Sequence, residues 1–125
     1  MNKSFWIKTI AISGLISVAL GAFAAHVLDS TLTEGRMSTF QTAVQYQIFH
    51  TLALLGIVSI DSSLIAQRLA HKAAYFFLAG IILFSGSLYL LVATDISLFA
   101  MVTPIGGVSF MIGWAMLLLS AIREK

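Results

Sequence analysis

Long apolar runs, each able to cross a lipid bilayer as a helix, limit what this chain can fold into. The first run covers residues 5–28 with Lys8 as its one charge, and further runs cover residues 73–94 and 98–122. About 20 helical residues cross a hydrocarbon core of roughly 30 Å. We therefore expect an all-α integral membrane protein.

The composition supports lipid as the main solvent. Hydrophobic residues make up 59% of the 125 residues and charged residues 10%, whereas charged residues are roughly a quarter of a soluble domain. A net charge of +2 without a basic cluster argues against nucleic acid as a partner. Because the chain has no cysteine, disulfides, thiolate nucleophiles and cysteine-ligated metals are excluded.

A further span is predicted at residues 39–60, although its apolar part covers only residues 48–60. That part is too short to cross alone, so residues 40–47 must also lie at membrane depth. We expect their glutamines to face protein. Thr33 followed by Glu34 is a typical helix start, and residues 61–72 form a hydrophilic connector. The last span begins at Leu98 or at Pro104, which suits a first helical turn.

The prediction is thus one domain over residues 1–125, a four-helix bundle with spans at 5–28, 39–60, 73–94 and 98–122. Most basic residues then lie on one side, namely Lys3, Lys8, Arg68, Lys72, Arg123 and Lys125, against Arg36 on the other. The positive-inside rule makes both termini cytoplasmic, and in a bacterium the location is the inner membrane. A signal peptide is the competing interpretation of the first run, since residues 22–24 resemble a cleavage site. The run is longer than a typical signal core.

Small residues recur at helical spacing and mark the expected contact faces. The predicted packing positions are Gly14, Ser17, Gly21, Ala25, Gly80, Gly86, Gly106 and Gly113. Such spacing supports packing within one chain, and it equally allows a homo-oligomer or a larger membrane complex.

Polar residues are predicted to form a layer in the outer leaflet. They are His26, Gln45, Tyr46, Gln47, His50, Ser85, Ser87, Tyr89 and Thr103. Polar groups in hydrocarbon are unfavourable unless paired, so one interpretation is that they satisfy one another. The other is a polar cavity in which His50, Tyr46, Gln47 and His26 bind a ligand, a lipid head group or protons.

The residue types argue against several chemistries. All five carboxylates fall at predicted helix ends or loops, so a proton-driven pump is not expected. The histidines show no nucleophile arrangement and no metal-ligand spacing. We expect neither an enzyme nor a cofactor or metal.

Several segments carry a family resemblance. Residues 21–26 (GAFAAH), 39–50 (TFQTAVQYQIFH), 84–89 (FSGSLY), 103–107 (TPIGG) and 113–114 (GW) closely resemble domain-of-unknown-function family 423, bacterial relatives of transmembrane protein 256. Ala24 stands where relatives often have glycine. The resemblance implies a small integral membrane protein without an assigned activity. The leading expectation is a structural or accessory bundle in contact with membrane lipids. The alternative is a small transporter, channel or lipid-binding protein using a cavity at His50 and Gln47.

Overall fold

Four long helices make up the part of the chain that the structure, a computed structural model, describes, which is residues 1–122. They are α1 (Lys3–Leu28), α2 (Glu34–Ser59), α3 (Gln67–Thr94) and α4 (Leu98–Ile122). Residues 1–122 contain no β-strand. The predicted all-α fold of four helices is confirmed. Arg123, Glu124 and Lys125, used in the orientation argument and the count of carboxylates, lie outside the described residues.

Three of these helices, α1, α3 and α4, are long and apolar enough to cross a membrane. Helix α2 has 26 residues, which corresponds to about 39 Å, so its length is also sufficient. Its glutamines and His50 reduce its hydropathy, and α2 is not among the three apolar helices. The predicted crossing at residues 39–60 stays a prediction.

Helices α2 and α3 form the centre of the bundle. Helix α1 packs on α2, and α4 packs along the length of α3. Within residues 1–122, no Cα atoms of α1 and α4 lie within 8 Å of each other. Trp6 extends from α1 to α3, where its ring lies 5.1 Å from that of Tyr75. The central helices are therefore enclosed by protein more than the outer two, whose apolar side chains remain available to lipid.

The helix boundaries follow the predictions except at the start of α3. Helix α2 begins at the predicted cap, and the Thr33 hydroxyl accepts the Arg36 backbone N–H at 3.3 Å. Helix α3 begins at Gln67, so the predicted connector was too long. Its later basic residues belong to the helix: Arg68, His71 and Lys72. Helix α4 begins at Leu98, so Pro104 lies inside the helix and not in its first turn.

The two ends of the bundle have different contacts. At one end the Ala66 N–H, in the α2–α3 loop, donates to the Ser120 carbonyl at 2.8 Å. At the other end Arg36 forms an ion pair with Asp95, and it also donates to the Val92 carbonyl at 3.3 Å. We call this second end the Arg36 end. The position of the Arg36 end outside the cytoplasm stays a prediction.

Glycines bring α3 and α4 into close contact. A Cβ atom at Gly80 or Gly113 would overlap the ring of Phe110 or Phe77, and one at Gly106 would overlap the backbone of Phe84. These positions pack as predicted. The other predicted positions differ, because Gly14 and Gly86 have no neighbouring atom within 4 Å of that point and Gly21 has only Val44. Ser17 is buried and Ala25 is exposed.

Candidate functional site

The side chain of Gln47 links three helices through a buried group of polar residues. Its Nε2 donates to the carbonyl and the hydroxyl of Ser13 on α1, both at 3.3 Å. Its Oε1 accepts the Tyr89 hydroxyl of α3 at 2.6 Å. Ser13 and Thr51 hydroxyls lie 2.7 Å apart. We call Ser13, Gln47, Thr51 and Tyr89 the Gln47 network.

The direction of the hydrogen bonds in the Gln47 network follows from the position of Thr51 one turn after Gln47 and from the single proton of each hydroxyl. Gln47 and Thr51 are four residues apart, so they share a face, and the Thr51 hydroxyl donates to the Gln47 carbonyl at 2.7 Å. A hydroxyl has a single proton, and Thr51 must therefore accept from Ser13. Ser13 in turn accepts from the amide of Gln47. The Ser13 and Thr51 hydroxyls therefore each donate and accept, and the Tyr89 hydroxyl donates to Gln47, so all three protons are used in hydrogen bonds within the protein.

His50 belongs to a second group, which consists of Tyr46, His50, Phe110 and Trp114 and which we call the His50 cluster. The Trp114 indole N–H donates to His50 Nε2 at 3.2 Å. His50 Nδ1 lies 2.8 Å from the Tyr46 carbonyl. Since the indole only donates, Nε2 is the acceptor and Nδ1 carries the proton. The ring stacks on Phe110 with centroids 3.5 Å apart and an interplanar angle of 12°. This imidazole is neutral, with both nitrogens hydrogen-bonded.

The two groups line separate grooves, so they do not form the single cavity predicted at His50 and Gln47. Gln47 contributes to a groove of about 280 Å³ between α1, α2 and α3. His50 contributes to a groove of about 570 Å³ between α2, α3 and α4. The lining residues of the larger groove are Tyr46, His50, Phe84, Pro104, Gly107, Val108, Phe110, Met111 and Trp114. Its wall is predominantly aromatic and apolar.

Serines connect α3 to the helices on either side. The Ser85 hydroxyl donates to the Ala43 carbonyl of α2 at 2.7 Å, whereas Ser87 and the Thr103 hydroxyl of α4 lie 2.6 Å apart. Residues two positions apart on a helix point in nearly opposite directions, which suits a helix between two neighbours. Ser85 ends a π-helical turn, Ile81–Ser85, which was not predicted.

Two of the predicted layer residues, His26 and Gln45, lie outside these groups. Both are exposed and have no side-chain partner among residues 1–122. Of the three glutamines expected to face protein, only Gln47 is buried within the chain. Gln41 and Gln45 are exposed. A rotation of about 100° per residue separates Gln45 from Gln47 by about 200°, so the two amides point to opposite sides. The binding role assigned to the layer stays a prediction.

Most polar side chains of the two groups form hydrogen bonds with other protein groups. Residues 1–122 contain no group of three or more His, Asp or Glu side chains that could hold a metal ion. In the same part of the chain, the one buried side-chain N or O atom without a hydrogen bond is Trp6 Nε1. Its ring stands nearly edge-on to the ring of Tyr75, at 67°.

Four residues of the two groups were not among the predicted layer residues, namely Ser13, Thr51, Phe110 and Trp114. Ser13 lies one turn before Ser17, whose hydroxyl donates to the Ser13 carbonyl at 2.8 Å. The small-residue stripe of α1 extended by one turn would have included it. Trp114 lies 64 positions from His50 in the sequence, and no local pattern connects the two.

Comparisons with known proteins agree on the family. The family described as "Protein of unknown function (DUF423)" matches residues 20–107. The "UPF0382 inner membrane protein YgdD" of Escherichia coli K12 is 47% identical over 125 residues, all of this chain and 95% of the relative. The "UPF0382 membrane protein YwdK" of Bacillus subtilis is 39% identical over 113 residues, 90% of this chain and 92% of the relative.

A "UPF0382 membrane protein" of Haemophilus influenzae is 40% identical over 123 residues, 98% of each chain. No solved structure matches the chain. The family match covers more than half of the sequence. The Escherichia coli relative is named an inner membrane protein and the other two are named membrane proteins, and the three apolar helices agree with a multi-pass membrane protein. The chain belongs to the DUF423 family of UPF0382 membrane proteins and is a multi-pass protein of the inner membrane.

Proposed function

We propose that the protein is a non-enzymatic helical scaffold of the inner membrane that acts as a structural or accessory subunit through its contacts with other membrane components. The observation that carries this proposal is the hydrogen bonding of the interior polar side chains, among which Trp6 Nε1 is the one buried atom without a partner in residues 1–122. The Gln47 amide and the His50 imidazole, which are the most polar buried side chains, have protein partners for both of their polar ends.

A binding site usually leaves a few polar groups directed into a cavity to orient its ligand. Here the Gln47 amide and His50 Nε2 are hydrogen-bonded to other helices, so their effect is to hold α1, α2, α3 and α4 in one arrangement. Interhelical hydrogen bonds contribute on average about 0.6 kcal/mol each in membranes. Several of them together select one packing of otherwise apolar helices, which favours a rigid scaffold.

A second candidate function, binding of an apolar lipid-like molecule, is favoured by the groove beside the His50 cluster. Its volume of about 570 Å³ falls within the range of small-molecule pockets. The Tyr46 hydroxyl at its wall has no hydrogen-bond partner among residues 1–122, and Tyr46 is 40% exposed. A ligand with one acceptor atom and an apolar body fits these features.

Native mass spectrometry of the protein extracted with its own lipids separates the two candidates. If the protein is a scaffold, we expect its mass spectrum to show the protein with bulk phospholipid only. The variant Tyr46→Phe should give the same spectrum. The control is Tyr75→Phe, which removes a hydroxyl from a tyrosine of similar exposure on α3. A discrete bound molecule that Tyr46→Phe loses and Tyr75→Phe retains would replace the scaffold proposal with the binding function.

A further inference from the structure

Two amide side chains of α2, Gln41 and Gln45, are exposed, and the predicted crossing of α2 places them at membrane depth. They are four residues apart and therefore lie on one face of the helix. Arg36, which forms the ion pair with Asp95, marks the polar boundary of this end of the bundle. Gln41 lies about 8 Å and Gln45 about 14 Å further along the axis. Neither side chain has a partner within residues 1–122.

Lipid leaves these amides without hydrogen bonds. Acyl chains neither donate nor accept, and an unpaired amide in hydrocarbon is unfavourable by several kcal/mol. Phospholipid head groups lie too far away for Gln45, which is near the middle of a core of roughly 30 Å. The described chain thus leaves a polar face that requires a partner with hydrogen-bonding groups at the same depth.

The surface around the two glutamines allows another helix to approach closely. Together they line a groove of about 380 Å³ between α1 and α2, and its other lining residues are Gly21, Ala24, Ala25 and Val44. Small side chains are the usual contact residues between membrane helices because they let backbones approach. The lining residues include no charged side chain, so two identical copies of this face would not repel each other.

We propose that a second copy of this chain covers the face formed by Gln41, Gln45 and the small residues of α1. Two copies inserted in the same direction are related by an axis along the membrane normal, so equivalent residues lie at equal depth. In the proposed dimer Gln45 lies beside the axis and therefore meets Gln45 of the second copy. A primary amide has both donors and an acceptor, and two of them exchange N–H···O bonds across the axis. Two-fold dimers are the commonest oligomers.

This inference rests on the proposed scaffold function, and it identifies a second copy of the chain as the partner of the scaffold. The two remain separable. A bundle that assembles through another face would retain the scaffold function and lose this interface, whereas a ligand at Tyr46 would overturn the scaffold function and leave the interface unaffected.

Disulfide crosslinking in native membranes tests the interface, and the natural chain contains no cysteine. The reporter is the variant Gln41→Cys, with Gln45 retained. The control is Ile105→Cys on α4, which is exposed and lies seven residues after the start of its helix, as Gln41 does in α2. Upon oxidation we expect Gln41→Cys to form a dimer of twice the 13.5 kDa monomer mass, and Ile105→Cys to remain monomeric.

A second variant shows whether the amide of Gln45 holds the dimer. In Gln41→Cys with Gln45→Leu, we expect about a tenfold weaker association in a dilution series in lipid, since one polar pair contributes up to about 1 to 2 kcal/mol. Unchanged helicity by circular dichroism shows that the variant is folded.

Three outcomes would overturn the inference. They are a Gln41→Cys yield no higher than that of Ile105→Cys, a dimer that is unaffected by Gln45→Leu, and a crosslinked product whose mass contains a different protein.

Discussion

Replacing Gln47 by leucine tests whether the buried network holds the helices together. The substitution removes two donations from Nε2 to Ser13 at 3.3 Å and the acceptance of the Tyr89 hydroxyl at 2.6 Å. At about 0.6 kcal/mol for an average interhelical bond in membranes, three bonds contribute about 2 kcal/mol. The substitution also leaves polar groups of Ser13 and Tyr89 without partners. The expected loss in the free energy of unfolding therefore rises to about 3 kcal/mol.

The same helix provides a matched control. Gln45→Leu makes the identical chemical change two residues away, at a side chain without a partner in the described chain. We expect it to change the free energy of unfolding of the monomer by less than about 0.5 kcal/mol. The assay is reversible unfolding in mixed micelles by added sodium dodecyl sulfate, followed by far-ultraviolet circular dichroism, at a protein concentration that keeps copies apart.

A double-mutant cycle isolates the bond between Gln47 and Tyr89. Tyr89→Phe removes only the hydroxyl, with an expected loss of about 1 kcal/mol. Because this bond is already absent in Gln47→Leu, the double variant should be less destabilised than the sum of the single variants. Additive losses, or equal losses for Gln47→Leu and Gln45→Leu, would refute the structural role of the network.

Two further predictions concern helix packing and the Arg36 end. Gly106→Ala should destabilise the fold by about 2 kcal/mol, because its Cβ meets the backbone of Phe84 and α4 must move away. Gly86→Ala, with open space at its Cβ, should be neutral or stabilising by up to about 1 kcal/mol in the same assay; equal losses would contradict this. Arg36→Gln should reduce stability by about 1 kcal/mol or less, and the difference from the natural protein should shrink in 1 M salt. A difference independent of salt would exclude the ion pair as its cause.

Local sequence signals were sufficient for the helices themselves. Apolar runs predict spans because a helix in lipid satisfies its own backbone, whatever its neighbours are. The start of α2 followed equally from local chemistry, since the Thr33 hydroxyl accepts a backbone N–H of the first turn. The family resemblance was also readable from short motifs, and the match over residues 20–107 confirmed it.

The use of each polar or small residue was decided by tertiary contacts. Gln45 and Gln47 are the same residue type on one helix, yet Gln47 is buried and Gln45 is exposed. Gly106 and Gly86 differ likewise, and only Gly106 faces a neighbouring backbone. Hydropathy and spacing describe one helix at a time, and they do not say on which side its neighbours lie. The sequence by itself determined that four helices form and that α2 carries several hydrogen-bonding side chains. Only the packing of α1 on α2 and of α4 on α3 decided which of those groups are paired, because a hydrogen bond needs two atoms within about 3 Å, often from distant parts of the chain.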